Sequence, residues 1–276
     1  MESIRIAYVV ATPELHSDES VTACQGDVEK IFQRLQALGY DGAELMIRDP
    51  DSIEKGLFER LSRYYGIEIP ALCTGEVFGQ DRLSFMDPDA EVRAEAIRRT
   101  KSIIDFASVF SAQVNIGRLR GRLSREIPRE RSIGWMYDAF ETISEYAETR
   151  GVTLTLEPIP RVEWNNLFTI GDGIHVVQKM GRKNFRLMAD VYAMNIEEKS
   201  FSDGLRLARP YLAHIHISDS NRLAPGGGNL DFACITKAIQ AIDYRGYVSA
   251  ELIQEPDWEE AMVRTIEILK SLRNQQ

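Results

Sequence analysis

Two rhythms of apolar residues alternate along this chain. Short, largely β-branched or aliphatic runs predict buried strands at Ile4 to Val10, Gly42 to Met46, Glu68 to Cys73, Gln113 to Ile116, Thr153 to Glu157, Phe185 to Asp190, Leu212 to Ile217 and Tyr247 to Leu252. Between them lie stretches with apolar positions three and four apart, the pattern of helices with one buried face. The clearest are Asp27 to Leu38, Ala90 to Phe110, Ile133 to Arg150, Phe232 to Ile242 and Trp258 to Leu272. Eight strand–helix alternations without a Pro/Gly/Ser-rich linker predict one α/β domain over residues 1–276, a (β/α)8 TIM barrel. The length of 276 residues suits that fold, which needs about 250.

Such a barrel gathers the ends of its strands at one mouth, where barrel enzymes carry their chemistry. Glu157 closes Val-Thr-Leu-Thr-Leu, Asp190 closes Phe-Arg-Leu-Met-Ala, His216 lies in Ala-His-Ile-His-Ile, and Glu251 lies in Tyr-Val-Ser-Ala-Glu-Leu-Ile. Three carboxylates and one imidazole at one mouth repel one another unless a cation offsets them. The set is oxygen-rich and suits one divalent ion, Mn2+ first, with Mg2+ or Co2+ as alternatives. His214 shares the strand face of His216, so a shifted register would exchange their roles.

Composition narrows the function classes. A formal net charge of −9 argues against a nucleic-acid groove, which needs a concentrated positive surface. Hydrophobic residues at 44% and charged residues at 27% are ordinary for a globular chain. Cys24, Cys73 and Cys234 form no CxxC or His-flanked zinc spacing and read as reduced thiols. The first strand begins almost at once, so neither a signal peptide nor a membrane span is expected, and the expected location is cytoplasmic.

At the four mouth residues the chain resembles the xylose-isomerase-like barrel superfamily, and within it ketose 3-epimerases of the tagatose 3-epimerase type. The spacings of Glu157, Asp190, His216 and Glu251 look like that family's metal set. Glu163, the Met194-Asn195-Ile196-Glu197-Glu198 run, and His216-Ile217-Ser218-Asp219-Ser220-Asn221-Arg222-Leu223-Ala224-Pro225-Gly226 look like further family motifs. Glu44-Leu45-Met46-Ile47-Arg48-Asp49-Pro50 and Gly117-Arg118-Leu119-Arg120-Gly121-Arg122 are similar to a subgroup acting on keto-sugar acids, the 5-keto-gluconate epimerase type. The resemblance implies a metal-dependent epimerase or isomerase that abstracts a proton beside a ketone through a metal-held enediolate. It also implies a homo-oligomer by family analogy.

Chemistry leads to the same roles. Epimerisation needs a base on one face of the sugar and an acid on the other, which assigns Glu157 and Glu251 as ligands and acid/base pair. Asp190 and His216 are then ligands only. Arg222 holds a substrate oxygen, and Glu163 orients a hydroxyl or a neighbouring catalytic group. Trp164 is the candidate wall of the sugar pocket. Trp135 and Trp258 read as packing residues, and Asp231 as a helix cap rather than part of a phosphate cradle. Arg118, Arg120 and Arg122 suit a carboxylate on the substrate; the competing reading pairs them with Glu126 or Glu130 on the surface.

Two departures from the family pattern fall at the mouth: Ala193 where the family carries a histidine, and Pro160 where it usually carries Asn. They leave open a different or larger substrate, a related lyase or deglycosylase, or a non-catalytic sugar-binding barrel. A three-zinc DNA-repair endonuclease of the same superfamily needs many histidines, and this acidic chain has four.

Overall fold

The computed structural model describes residues 4–273. Its eight strands are β1 (Arg5–Ala11), β2 (Gly42–Met46), β3 (Ala71–Cys73), β4 (Gln113–Ile116), β5 (Leu154–Leu156), β6 (Phe185–Asp190), β7 (Leu212–Ile217) and β8 (Tyr247–Ala250). All neighbours pair in parallel and in chain order, and β8 pairs with β1 to close the barrel. The helices are α1 (Val28–Leu38), α2 (Leu57–Tyr65), α3 (Gly75–Gly79), α4 (Ala90–Phe110), α5 (Arg129–Thr149), α6 (Ile170–Met180), α7 (Val191–Glu197), α8 (Phe201–Ala208), α9 (Phe232–Ala241) and α10 (Trp258–Leu269). None is long and apolar enough to cross a membrane.

Each strand sorts its side chains by parity. Leu45, Val114, Leu154, Leu156, Leu187, Ile215 and Val248 belong to the apolar layer under the helices. Their neighbours Glu44, Asn115, Thr155, Asp190, His214, His216 and Ser249 are buried polar residues on the opposite strand face. The lumen is therefore polar toward the mouth, and each of those groups needs a partner. Val9, Ala11, Met46 and Cys73 add a small apolar wall that belongs to a separate cluster.

Element ends differ from the periodicity where local chemistry intervenes. The third strand begins at Ala71 instead of Glu68, because Pro70 has no N–H to extend the ladder; Glu68 makes only an isolated bridge to Gly42. Helix α5 begins four residues earlier than Ile133, immediately after Pro128, in a first turn too exposed and charged to show an apolar period. Asp27 caps α1 by accepting from the Glu29 and Lys30 N–H groups, and Asp231 caps α9 by accepting from Cys234 N–H. Thr169 and Asp172 form a reciprocal capping box at α6. Trp258 packs against the main core, while Trp135 is stacked beneath the guanidinium groups of Arg93 and Arg131.

Candidate active site

Glu157 and Glu251 stand one residue beyond their strands, yet their backbone N–H groups still donate to Ile116 and Ile217 of the preceding strands, each over 3.2 Å. That extra ladder bond points both carboxylates over the lumen. Asp190 is at once the last residue of β6 and the N-cap of α7. Its Oδ1 accepts from Tyr192 N–H at 2.9 Å, which leaves Oδ2 for the site. His216, on β7, turns Nδ1 toward Glu251 Oε2 at 3.4 Å and Glu157 Oε1 at 3.8 Å. His214 sits two residues deeper and hydrogen-bonds Glu44 and Ser249, so it is His216 that meets the two glutamates.

Arg222 enters from the loop after β7. Its Nη1 lies 2.8 Å from Asp190 Oδ2, a contact of charge without hydrogen-bond geometry, and 3.1 Å from Glu251 Oε2; its Nη2 is 3.7 Å from Glu163 Oε1. The guanidinium also covers the Tyr192 ring at 4.1 Å. Arg222 holds a left-handed backbone with φ of 63°, a conformation costing about 1–3 kcal/mol that the surroundings must impose. They do so through Asp219, whose carboxylate collects the N–H groups of Ser220, Gly226 and Leu230 at 2.7, 2.9 and 3.1 Å, and whose carbonyl accepts from Arg222 N–H. A side chain at Gly228 would place its first carbon 2.3 Å from that carboxylate. The Pro225–Gly228 stretch is thus the rim of a tied turn.

The charges do not balance equally. Burial pushes Glu157 up to about 7, and the nearby Glu251 charge adds to the shift. Burial also acts to raise Glu251, but His216 and Arg222 overcome it and hold this carboxyl down to about 2. Asp190 is raised by burial against the pull of Arg222. Burial opposes a charged His216, yet Glu44 and Glu251 hold its pKa well above the usual histidine range. Two unit charges 4 Å apart interact by about 4 kcal/mol at an effective dielectric constant near 20, and the pull of His216 on Glu157 over 3.8 Å is outweighed by burial together with the Glu251 charge. The cluster of Glu157, His216 and Glu251 has the ligand-atom spacing for one ion, and the buried His216 Nδ1 has no hydrogen-bond partner. These residues fit a divalent cation.

A cavity of about 250 Å³ opens above them, lined by Cys73, Asn115, Arg118, Glu157, Glu163, Arg222 and Glu251. A second, of about 500 Å³, adjoins it at Arg118 and Glu163 and is walled by Phe78, Arg122 and Trp164. Trp164 is therefore part of the outer wall. Its indole N–H donates to Gly121 O at 2.8 Å, and Phe78 packs edge-on at 5.0 Å.

The three arginines separate. Arg120 is fully buried and lines neither cavity: its guanidinium donates to the carbonyls of Gly117, Glu157 and Asn166 and to the Asn166 side chain. It staples the loops after β4 and β5 together, and its expected role as a substrate contact is corrected. Burial lowers its pKa to about 9. Arg118 pairs with the buried Glu76, and Arg122 donates to the Glu163 carbonyl and lies over the Trp164 ring at 4.1 Å. The surface pairing expected with Glu126 or Glu130 is replaced by these contacts.

Sequence reasoning gave no role to Glu44, Asn115, Gly117 and Glu76. Asn115 Nδ2 donates to Glu157 Oε2 at 2.8 Å, and a side chain on Gly117 would reach within 2.7 Å of the same oxygen. The available signal was an ionisable or amide residue in the middle of an apolar strand, as in Gly-Ala-Glu-Leu-Met of β2.

Comparison with known proteins places this geometry among relatives. The family described as xylose isomerase-like TIM barrel matches residues 32–272. An L-ribulose 3-epimerase of Methylomonas sp. (strain DH-1) is 30% identical over 218 residues, covering 77% of this chain and 74% of its own. A 3-dehydro-D-guloside 4-epimerase of Escherichia coli (strain K12) is 25% identical, covering 80% of this chain and 85% of its own. Among solved structures, a D-allulose 3-epimerase from Methylomonas sp. superposes with a TM-score of 0.78 at 21% identity over 99% of each chain, which shows the shared fold.

Proposed function

The chain belongs to the xylose isomerase-like TIM barrel family, and on that premise we propose that it is a divalent-metal-dependent carbohydrate epimerase acting on a ketose or keto-sugar acid. The observation that carries this reading is the convergence of Glu157, His216 and Glu251 at one mouth, with Arg222 bridging Asp190 to Glu251 beside them. The epimerase names of its relatives support the reaction class. The donor set, oxygen ligands with one imidazole, suits Mn2+, Mg2+ or Co2+, and Mn2+ is the first ion to test. Glu157, Asp190, His216 and Glu251 would hold such a cation, which would supply a positive charge to polarise a ketone oxygen of the substrate.

The chain's own groups do the rest. Glu157 and Glu251 follow β5 and β8, which are not neighbours, and both line the inner cavity. One takes the proton from the carbon beside the carbonyl, and the other returns a proton to the opposite face. Arg222 holds a substrate oxygen, and Glu163 steadies Arg222 from the side away from Asp190. Ala193 is buried and brings no hydrogen bond to the site, which keeps a related elimination as the second reading.

The test is a panel of ketoses and keto-sugar acids incubated with the Mn2+-loaded protein in D2O. Deuterium entering one carbon beside the ketone, together with the epimeric product, is the expected result. Release of a fragment by elimination would replace the epimerase with a lyase. Tight binding without any exchange would leave a sugar-binding barrel.

A further inference from the structure

We infer that Glu44 is a positioning residue that decides which nitrogen of His216 faces the active site, and that His214 serves Glu44 rather than a metal. This rests on the proposed reading of His216 as a metal ligand. Strands β2 and β7 are not neighbours in the barrel, so a contact between them has to cross the lumen. Glu44 makes two such contacts: its Oε1 lies 2.8 Å from His216 Nε2, and its Oε2 lies 2.8 Å from His214 Nε2. All three residues are 0% exposed, and none of them lines either of the two cavities at the mouth.

A carboxylate only accepts hydrogen bonds, so the contact with His216 requires the proton on Nε2. When a cation displaces the other ring proton, the lone pair it uses then belongs to Nδ1, the atom that faces Glu157 and Glu251 and that has no hydrogen-bond partner. A histidine on a bare strand is free to exchange tautomers or to turn its ring over; Glu44 removes both freedoms. His214 occupies the second oxygen, and Ser249 Oγ approaches the same His214 nitrogen at 3.0 Å, so Glu44 is gripped from two sides and its own rotamer is set. The Glu44, His214 and His216 ligand atoms are also close enough together to hold an ion, which makes a second bound metal the competing outcome. The direct 2.8 Å contacts and the sealed position favour protons at these positions.

The experiment uses the full chain with 15N-labelled histidine and a Mg2+ titration, beside Mn2+ calorimetry of wild type, Glu44→Met and Glu44→Gln. With Mg2+ bound, the wild type should keep the His216 proton on Nε2 and lose the one on Nδ1, and it should take up one Mn2+ per chain. Glu44→Met should bind Mn2+ about 10- to 100-fold more weakly. Glu44→Gln should recover part of that loss, because its amide oxygen still accepts from His216. Unchanged Mn2+ affinity in a folded Glu44→Met variant, a Mg2+-bound His216 with its proton on Nδ1 and none on Nε2, or a second Mn2+ lost with His214→Ala would each overturn the inference. If Glu44→Met does not fold, the histidine resonances of the wild type decide. A wild-type chain that binds no Mn2+ would overturn the metal reading, and the inference with it.

Discussion

Asn115 on β4 donates its side-chain N–H to Glu157 Oε2 over 2.8 Å, so one oxygen of the raised carboxyl is held by a neighbouring strand while the other faces His216 at 3.8 Å. A hydrogen bond to a charged group is worth about 1.5–3 kcal/mol. Replacing Asn115 by Ala should therefore lower kcat by at least about tenfold with a smaller change in KM. Steady-state kinetics on the substrate found in the exchange panel will check this; an unchanged kcat would show that Glu157 is positioned without Asn115.

Metal occupancy should depend on the residues at the ends of β6 and β7. Asp190→Asn and His216→Ala should each lose bound Mn2+ in metal analysis of the purified protein. His214→Ala should retain it, because His214 meets Glu44 and Ser249 rather than Glu157 and Glu251. Full retention in both ligand variants would refute the assignment.

Glu157→Gln and Glu251→Gln should each abolish turnover in a folded protein, since a two-face proton transfer needs both carboxylates. Residual activity above about a tenth of wild type, a loss of only about 1.4 kcal/mol in transition-state stabilisation, would remove that residue from the acid/base pair.

The arginines after β4 should divide by role. Arg120→Met leaves several buried carbonyls without donors and should destabilise the fold by about 2–4 kcal/mol in urea titration. Arg118→Ala and Arg122→Ala remove groups that line the two cavities. If the substrate is a sugar acid, one of these two changes should cost about 1.5–3 kcal/mol in kcat/KM with the acid and little with the neutral ketose. Equal effects on both sugars would favour a neutral substrate.

The strands and long helices were legible because a barrel strand and its covering helix impose different apolar periods, and the parallel ladder keeps every Leu45-type residue under a helix. The mouth residues Glu157, Asp190, His216 and Glu251 were legible as polar side chains ending apolar runs. Two kinds of information were not. Periodicity put His214 and His216 on one face, but only their depth in the lumen separates a partner of Glu44 from a partner of Glu157. Arg118, Arg120 and Arg122 look alike in a loop, and the short turn at Arg118–Arg120 sends the middle one inward and leaves its neighbours at the cavities. Such outcomes depend on contacts between segments far apart in sequence, which no local pattern records.

The residues proposed to hold the ion all lie at the ends of β5 to β8, whereas Glu44, Cys73, Asn115 and Arg118 come from β2 to β4 and the turns that follow them. On the proposed function, the second half of the barrel carries the reactivity, and the first half supplies its alignment and much of the enclosure around it. Under that division, changes after β3 and β4 should alter which molecule is admitted and leave the reacting centre intact. A hybrid that joins the first four strands of a relative to the last four of this chain should keep the chemistry and inherit its selectivity from the donor, provided that a carboxylate still reaches His216 across the lumen.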